Sequence, residues 1–197
     1  MSPNVVRIAL AAAALSTAAA AGAADPAAGK AKFESTCVAC HGAGAAPAGM
    51  VAPILDGQPD GFIQWQLVYF RSETRKDPVM TPIAAGLSNV DIRNLGAYLS
   101  SLPGPKPPPG ADARADLTEA GEQLARANRC SNCHQDGFVG SDAVARLAGQ
   151  REAYLLKALR DFKSGARRGG GAAAMPDAVY PLSDKGLEAL AHYLSRL

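Results

Sequence analysis

The sequence predicts an all-α protein built from two tandem, related domains. Three observations carry that reading. First, the chain repeats itself. Leu55 to Phe70, "LDGQPDGFIQWQLVYF", returns as Leu147 to Phe162, "LAGQREAYLLKALRDF", at an offset of 92. "GLSNVDIRNLGAYLSSL" from Gly86 returns in "YPLSDKGLEALAHYLSRL" from Tyr180, at an offset of 95. Second, each half ends on the same apolar stripe. Ile92, Leu95, Leu99 and Leu102 correspond to Leu187, Leu190, Leu194 and Leu197, both sets spaced i, i+3, i+7, i+10, which is one face of a helix. Third, no stretch sustains the alternation of a half-buried strand. Two long copies are a duplication rather than a solenoid, which needs three or more shorter units.

The elements follow in chain order. Residues 1–24 read as an export signal: Arg7, an apolar run from Ile8 to Ala21, then Ala21-Gly22-Ala23 as a small-residue cleavage pattern. The run is short and Ala-rich for a membrane span of roughly 20 residues. A first domain over 25–102 starts with Asp25-Pro26, a cap and a proline at a first helical position, leading towards Cys37. Ser88 is the predicted N-cap of its last helix. Residues 103–113 form a linker. The stretch "LPGPKPPPGADA", Leu102 to Ala113, holds five prolines and two glycines, which favour an extended, semi-rigid spacer. The second domain, 114–197, is predicted to open on a cap at Asp116 with Glu119 three residues on, ahead of Cys130, and its last helix to be capped by Ser183.

Composition bounds what each half can do. Aromatics are 6% of the chain, so the cores are built mainly of Leu, Val, Ile and Ala. Domains of roughly 80 residues with so few large side chains often need a staple. A formal charge of +2 argues against nucleic acid as a partner.

The four cysteines point to the staple. "CVACHG", Cys37 to Gly42, returns 93 positions later as "CSNCHQ", Cys130 to Gln135, and two of the three histidines, His41 and His134, sit directly behind the cysteine pairs. A disulfide framework suits an exported chain but leaves those histidines unexplained. Zinc wants four ligands, and each motif offers three. A redox Cys-x-x-Cys expects a βαβ setting, which is absent. Covalent haem attachment explains all three residues: Cys37 with Cys40, and Cys130 with Cys133, add to the two vinyl groups of one porphyrin each, and His41 or His134 falls under its iron. The reading is two c-type haems.

Haem iron then needs a sixth ligand or keeps an open position. Four methionines exist. Met80 and Met175 lie 39 and 41 residues after their histidines, and each precedes a matched leucine, Leu87 or Leu182, by seven. Both stand in Pro/Gly-rich segments, "DPVMTP" and "GGGAAAMPD", read as loops that present a ligand. Met50 has no counterpart and is read as packing. His192 faces Ala97 in the repeat and is read as a surface or packing residue. As a rival ligand it would put one haem in a different class from its twin.

These residues, with "LAGQ", "YLLKALRDFKSGARR" and "MTPIAAGLSNVDIRNLGAYLSSL", resemble the dihaem cytochrome c(4) group over essentially the whole chain after the signal. The resemblance implies two class I cytochrome c domains related by a pseudo-twofold axis, each wrapped around one covalent haem, with the haems facing each other across the interface. It implies periplasmic electron transfer, often towards a terminal oxidase. Pro53 is similar to the family proline whose carbonyl orients the proximal histidine, and the second half carries Ala145 there.

His/Met ligation would fill both axial positions, leaving no site for a small-molecule substrate, and methionine raises the reduction potential relative to a second histidine. The expected function is therefore a non-enzymatic carrier of single electrons. Its partners would be redox proteins: a donor such as a quinol–cytochrome c reductase and an acceptor such as a terminal oxidase, with membrane association only through them. A cytochrome subunit of a periplasmic, flavocytochrome-like dehydrogenase is the first alternative, and a dihaem peroxidase the second. "KALRDFKSGARR", Lys157 to Arg168, is either a solvated basic face or a patch that steers an acidic partner. Gln58 and Gln150 match in the repeat and either approach haem propionates, approach each other or stabilise their loops.

Overall fold

A computed structural model describes residues 22–42, 51–168 and 173–197. The predicted signal, but for its last three residues, and Met50 lie outside them. Among the described residues there is no strand, only an isolated bridge between Ser141 and Val144. The first half carries α1 (Pro26–Thr36), α2 (Val38–His41), α3 (Asp60–Arg71), α4 (Met80–Ala85) and α5 (Asn89–Ser101). The second carries α6 (Ala115–Ala127), α7 (Ser131–His134), a 3₁₀ turn (Asp136–Phe138), α8 (Glu152–Ser164), α9 (Met175–Val179) and α10 (Asp184–Ser195).

Both halves are held by the same crossing. α1 packs on α5, and α6 packs on α10. Glycine permits the close approach. A Cβ on Gly29 would lie 2.0 Å from the Asn94 carbonyl oxygen, and one on Gly121, its repeat partner, 2.2 Å from that of Ala189. Ring pairs flank the crossings, Phe33 with Tyr98 at 5.8 Å and Phe138 with Tyr193 at 6.0 Å. The predicted stripes do form the cores. Ile92, Leu95 and Leu99 join Phe33, Ile63 and Leu87 in the first, while Leu187, Leu190 and Leu194 join Leu155, Leu159, Phe162 and their neighbours in the second.

Most predicted caps are present. Asp25 accepts from the backbone N–H groups of Ala27 and Ala28. Ser88 forms a reciprocal capping box with Asp91, and the Ser183 hydroxyl accepts from Gly186 N–H. The Asp116 cap is not: α6 begins one residue earlier, and Asp116 stands inside its first turn. The N-cap position is Arg114, whose side chain makes no capping bond, and Asp112 braces the turn before it. Its carboxylate accepts from Arg114 N–H at 2.9 Å and from the Thr118 hydroxyl at 2.5 Å.

Asp112 also reaches His192. The His192 ring is buried, with Nε2 3.0 Å from Asp112 and Nδ1 3.0 Å from Glu152, whose carboxylate pairs with Arg114 at 2.6 Å. His192 is thus neither a surface residue nor an apolar packing one. It joins the end of the linker to α8 and α10, and both ring nitrogens lie against carboxylates. The bonds from Thr118, from Arg114 N–H and from His192 hold the Asp112 carboxyl down at about 2. A carboxyl with a depressed folded pKa adds stability that is complete above its unfolded value of about 3.9 and is lost as pH falls through the folded value. The thermal midpoint of the intact protein should therefore drop between about pH 4 and pH 2 by an amount that Asp112→Asn removes. An unchanged acid slope in that variant would refute the role.

The two halves meet along a seam that repeats its own contacts. Gln58 Nε2 donates to the Arg146 carbonyl at 2.9 Å, and its Oε1 accepts from Arg146 N–H at 3.0 Å. Gln150, 92 residues on, makes the same pair of bonds to Ile54, both 2.8 Å. A contact in which each half offers the same patch to the other is what twofold symmetry produces. The linker runs through this seam: Gly104 and Pro105 approach so closely that a Cβ on Gly57 or Gly149 would lie 2.6 Å and 2.7 Å from their backbone atoms. At these two glycines φ is also positive, +67° and +72°, where a side chain is strained.

Candidate haem-binding sites

Each Cys-x-x-Cys-His motif folds as one helical turn. His41 N–H and His134 N–H donate to the carbonyls of Cys37 and Cys130, at 3.0 Å and 3.1 Å. Residues three and four apart share a helix face, so both cysteines and the histidine of each motif present to one side. None of the four cysteines is paired in a disulfide. Cys37 rests partly buried on the first core and Cys130 on the second. Burial pushes both of these thiols above their ordinary pKa. Among the described residues no group of three or more His, Cys, Asp or Glu converges as a metal cluster.

The histidines are placed alike. His41 Nδ1 donates to the Pro53 carbonyl at 2.8 Å, and His134 Nδ1 to the Ala145 carbonyl at 2.9 Å. A carbonyl can only accept, so the proton sits on Nδ1 and Nε2 keeps its lone pair. Alanine in place of proline therefore keeps this bond, because it uses the backbone oxygen that any residue supplies. Both rings are buried, and burial pushes their pKa down against the opposing effect of the carbonyl bond; the Arg151 cation lowers His41 further. Neutral imidazole, its second nitrogen fixed and its first available, is the donor set that a haem iron takes. The residues present fit that group.

The methionines differ from expectation in setting. Neither lies in a loop: Met80 is the first residue of α4, and Met175 the first of α9. Local chemistry explains this. The Asp77 carboxylate accepts from the N–H groups of Val79 and Met80, both at 2.9 Å, and starts the first helix. Pro176 occupies an early position in the second, where its missing N–H is harmless. Both methionines are half-buried. Met175 rests on the core that also holds Cys130.

Arg151 escaped the sequence reading. From the second half it donates to the carbonyls of Gly42 and Ala52, at 3.0 Å and 2.5 Å, bracketing the first histidine's support. It carried no motif signal, since both acceptors are backbone. The basic stretch after it is mostly engaged inside the chain. Lys157 pairs with Asp161, Arg160 with Glu188, Lys163 reaches the Leu182 carbonyl, and Arg167 donates to Gln66. Arg167 and its repeat partner Arg75 each lie over a phenylalanine, Phe162 and Phe70, and both donate to Gln66 Oε1. Burial, foremost, lowers the Arg167 pKa to about 10.

Comparison with known proteins points to the cytochromes c. Residues 24–99 match the family profile described as cytochrome C oxidase, cbb3-type, subunit III, and residues 118–197 match that described as cytochrome c. A cytochrome c4 of Thiocapsa roseopersicina is 33% identical over 183 residues, covering 88% of this chain and 93% of the relative. The chain belongs to the cytochrome c4 family. Like that family it is a tandem of two cytochrome c domains, and it binds two covalent c-type haems. The crystal structure of reduced recombinant cytochrome c4 from Pseudomonas stutzeri superposes with a TM-score of 0.78 at 33% identity, covering 89% of this chain and all of the other. A second relative carries a different name. The thiosulfate dehydrogenase electron acceptor of Thiomonas intermedia is 32% identical, covering 82% of this chain and 78% of its own. For a cytochrome c4 family member, electron transfer is the shared role.

Proposed function

We propose that the protein is a periplasmic carrier of single electrons, with Cys37 and Cys40 anchoring one haem and Cys130 and Cys133 the other. His41 and His134 are the proximal ligands, and Met80 and Met175 the distal ones. The observation that carries this reading is the duplicated histidine geometry, in which Nδ1 is spent on a backbone carbonyl and Nε2 is left to bind. Bound haem supplies a reversible one-electron couple at iron. The chain supplies the rest: thiols that fix the group, an imidazole held in one tautomer, a soft thioether that favours the ferrous state, and cores that exclude water. With His41 and Met80 on one iron and His134 and Met175 on the other, no position would remain for a small-molecule substrate. The donor is proposed to be a quinol–cytochrome c reductase and the acceptor a terminal oxidase.

One observation favours a second reading, the cytochrome subunit of a periplasmic dehydrogenase: the Thiomonas relative is named a thiosulfate dehydrogenase electron acceptor. Purification from the native membrane-free extract separates the two. A carrier elutes alone, whereas a subunit elutes with a larger enzyme. In either case acid–acetone should extract no haem, and a pyridine haemochrome assay should give two haems per chain. Freely extracted haem, or one haem per chain, would refute the attachment sites.

A further inference from the structure

We propose that Gln58 and Gln150 each set the reduction potential of the haem in the opposite domain, acting as positioning residues through a single shared peptide group. The proposal rests on the reading of His41 and His134 as iron ligands. The Pro53–Ile54 peptide serves two partners at once. Its carbonyl accepts from His41 Nδ1, and its N–H donates to Gln150 Oε1 across the seam. The Ala145–Arg146 peptide does the same, its carbonyl accepting from His134 Nδ1 and its N–H donating to Gln58 Oε1. Three positions in each relay, the glutamine, the residue whose carbonyl accepts and the residue after it, match at an offset of 92.

Two features make the coupling effective. Both glutamines are buried, 4% and 3% exposed, so water does not replace the bond. Each amide is also held by a second bond through Nε2, to the carbonyl of Ile54 or Arg146, so it cannot swing away. A peptide whose N–H is bonded gains electron density on its carbonyl oxygen, and chains of hydrogen bonds strengthen one another. A stronger acceptor on Nδ1–H makes the imidazole a more basic ligand, which favours ferric iron. The glutamine in one domain thereby lowers the potential of the other domain's haem. The two domains are electrically crossed, and a change at the seam reaches both irons without moving either ligand.

The test uses the haem-loaded full chain with Gln150→Met and Gln58→Met, which keep side-chain length but cannot donate and accept only weakly. A redox titration followed by the paramagnetically shifted haem methyl resonances reads each haem separately, with assignments taken from the signals displaced in Met80→Ala and Met175→Ala. Gln150→Met should shift the haem of His41 towards the ferrous state by about threefold, about 28 mV for one electron, and leave the haem of His134 in place. Gln58→Met should do the converse. A shift in the variant's own domain, an equal shift in both, or none would overturn the proposal. Should Gln150→Met fail to accumulate, Gln150→Glu reads the same bond with a stronger acceptor: a lowered potential at the haem of His41 alone supports the relay, and an unchanged one overturns it. Failure of histidine ligation itself would appear in the unsubstituted protein, as missing low-spin haem signals, and would overturn both readings.

Discussion

A chain with Cys37, Cys40, Cys130 and Cys133 all replaced by alanine and made without haem should show no cooperative thermal transition. The reason is the size of what remains. The first domain's buried apolar cluster is Phe33, Ile63, Leu87, Ile92, Leu95 and Leu99. These residues come from α1, α3 and α5 and the turn before α5; α2, α4 and their cysteine and methionine only border it or stand apart. Each domain of roughly 80 residues sits where polypeptide burial barely offsets chain entropy. Fully burying a large aliphatic side chain contributes about 1.5–3 kcal/mol, while ordering each residue costs about 1–2 kcal/mol. A porphyrin adds apolar area to both cores and ties two short helices to them. Circular dichroism against temperature measures the outcome. A sharp melt in the haem-free variant would show that the helix crossings at Gly29 and Gly121 suffice without the cofactor.

The second large effect belongs to the distal ligands. Met80→Ala should open the first iron, lower that haem's potential and leave the second nearly unchanged, and Met175→Ala should do the converse. Losing a thioether removes the ligand that favours ferrous iron. Each variant should lose about half of the far-red charge-transfer band of oxidised methionine-ligated haem, since one of two equivalent sites is lost. Met50→Ala should alter neither site. An intact band in Met175→Ala would exclude it as a ligand. The buried His192, held between Asp112 and Glu152, would not be the replacement without breaking those contacts.

What was legible in the sequence is what side chains write there. Leucine spacing gave the last helix of each domain, serine gave its cap, and the paired cysteine–histidine motifs gave the candidate sites. What was not legible is what the backbone does. The carbonyl of Ala145 replaces that of Pro53 without any trace in residue type. Asp116 has the spacing of a cap, yet Asp112, reaching from the linker, makes the bonds, because a tertiary partner in His192 holds it there. Met80 and Met175 sit among prolines and glycines that suggest loops. One short helix starts at an aspartate side chain and the other tolerates proline at its start. The glutamines stood out as a matched pair, but their acceptors lie in the other domain, 88 and 96 residues away, a distance no local pattern spans.

The central claim is that each domain of this chain carries one electron on a haem held by histidine and methionine. An absorption-monitored potentiometric titration of the purified protein tests it most directly. The account predicts two one-electron waves, six-coordinate low-spin spectra throughout, and a far-red methionine band in the oxidised form with a strength that corresponds to both haems. A single wave, a high-spin component that binds added ligands, or a band from one haem alone would contradict it.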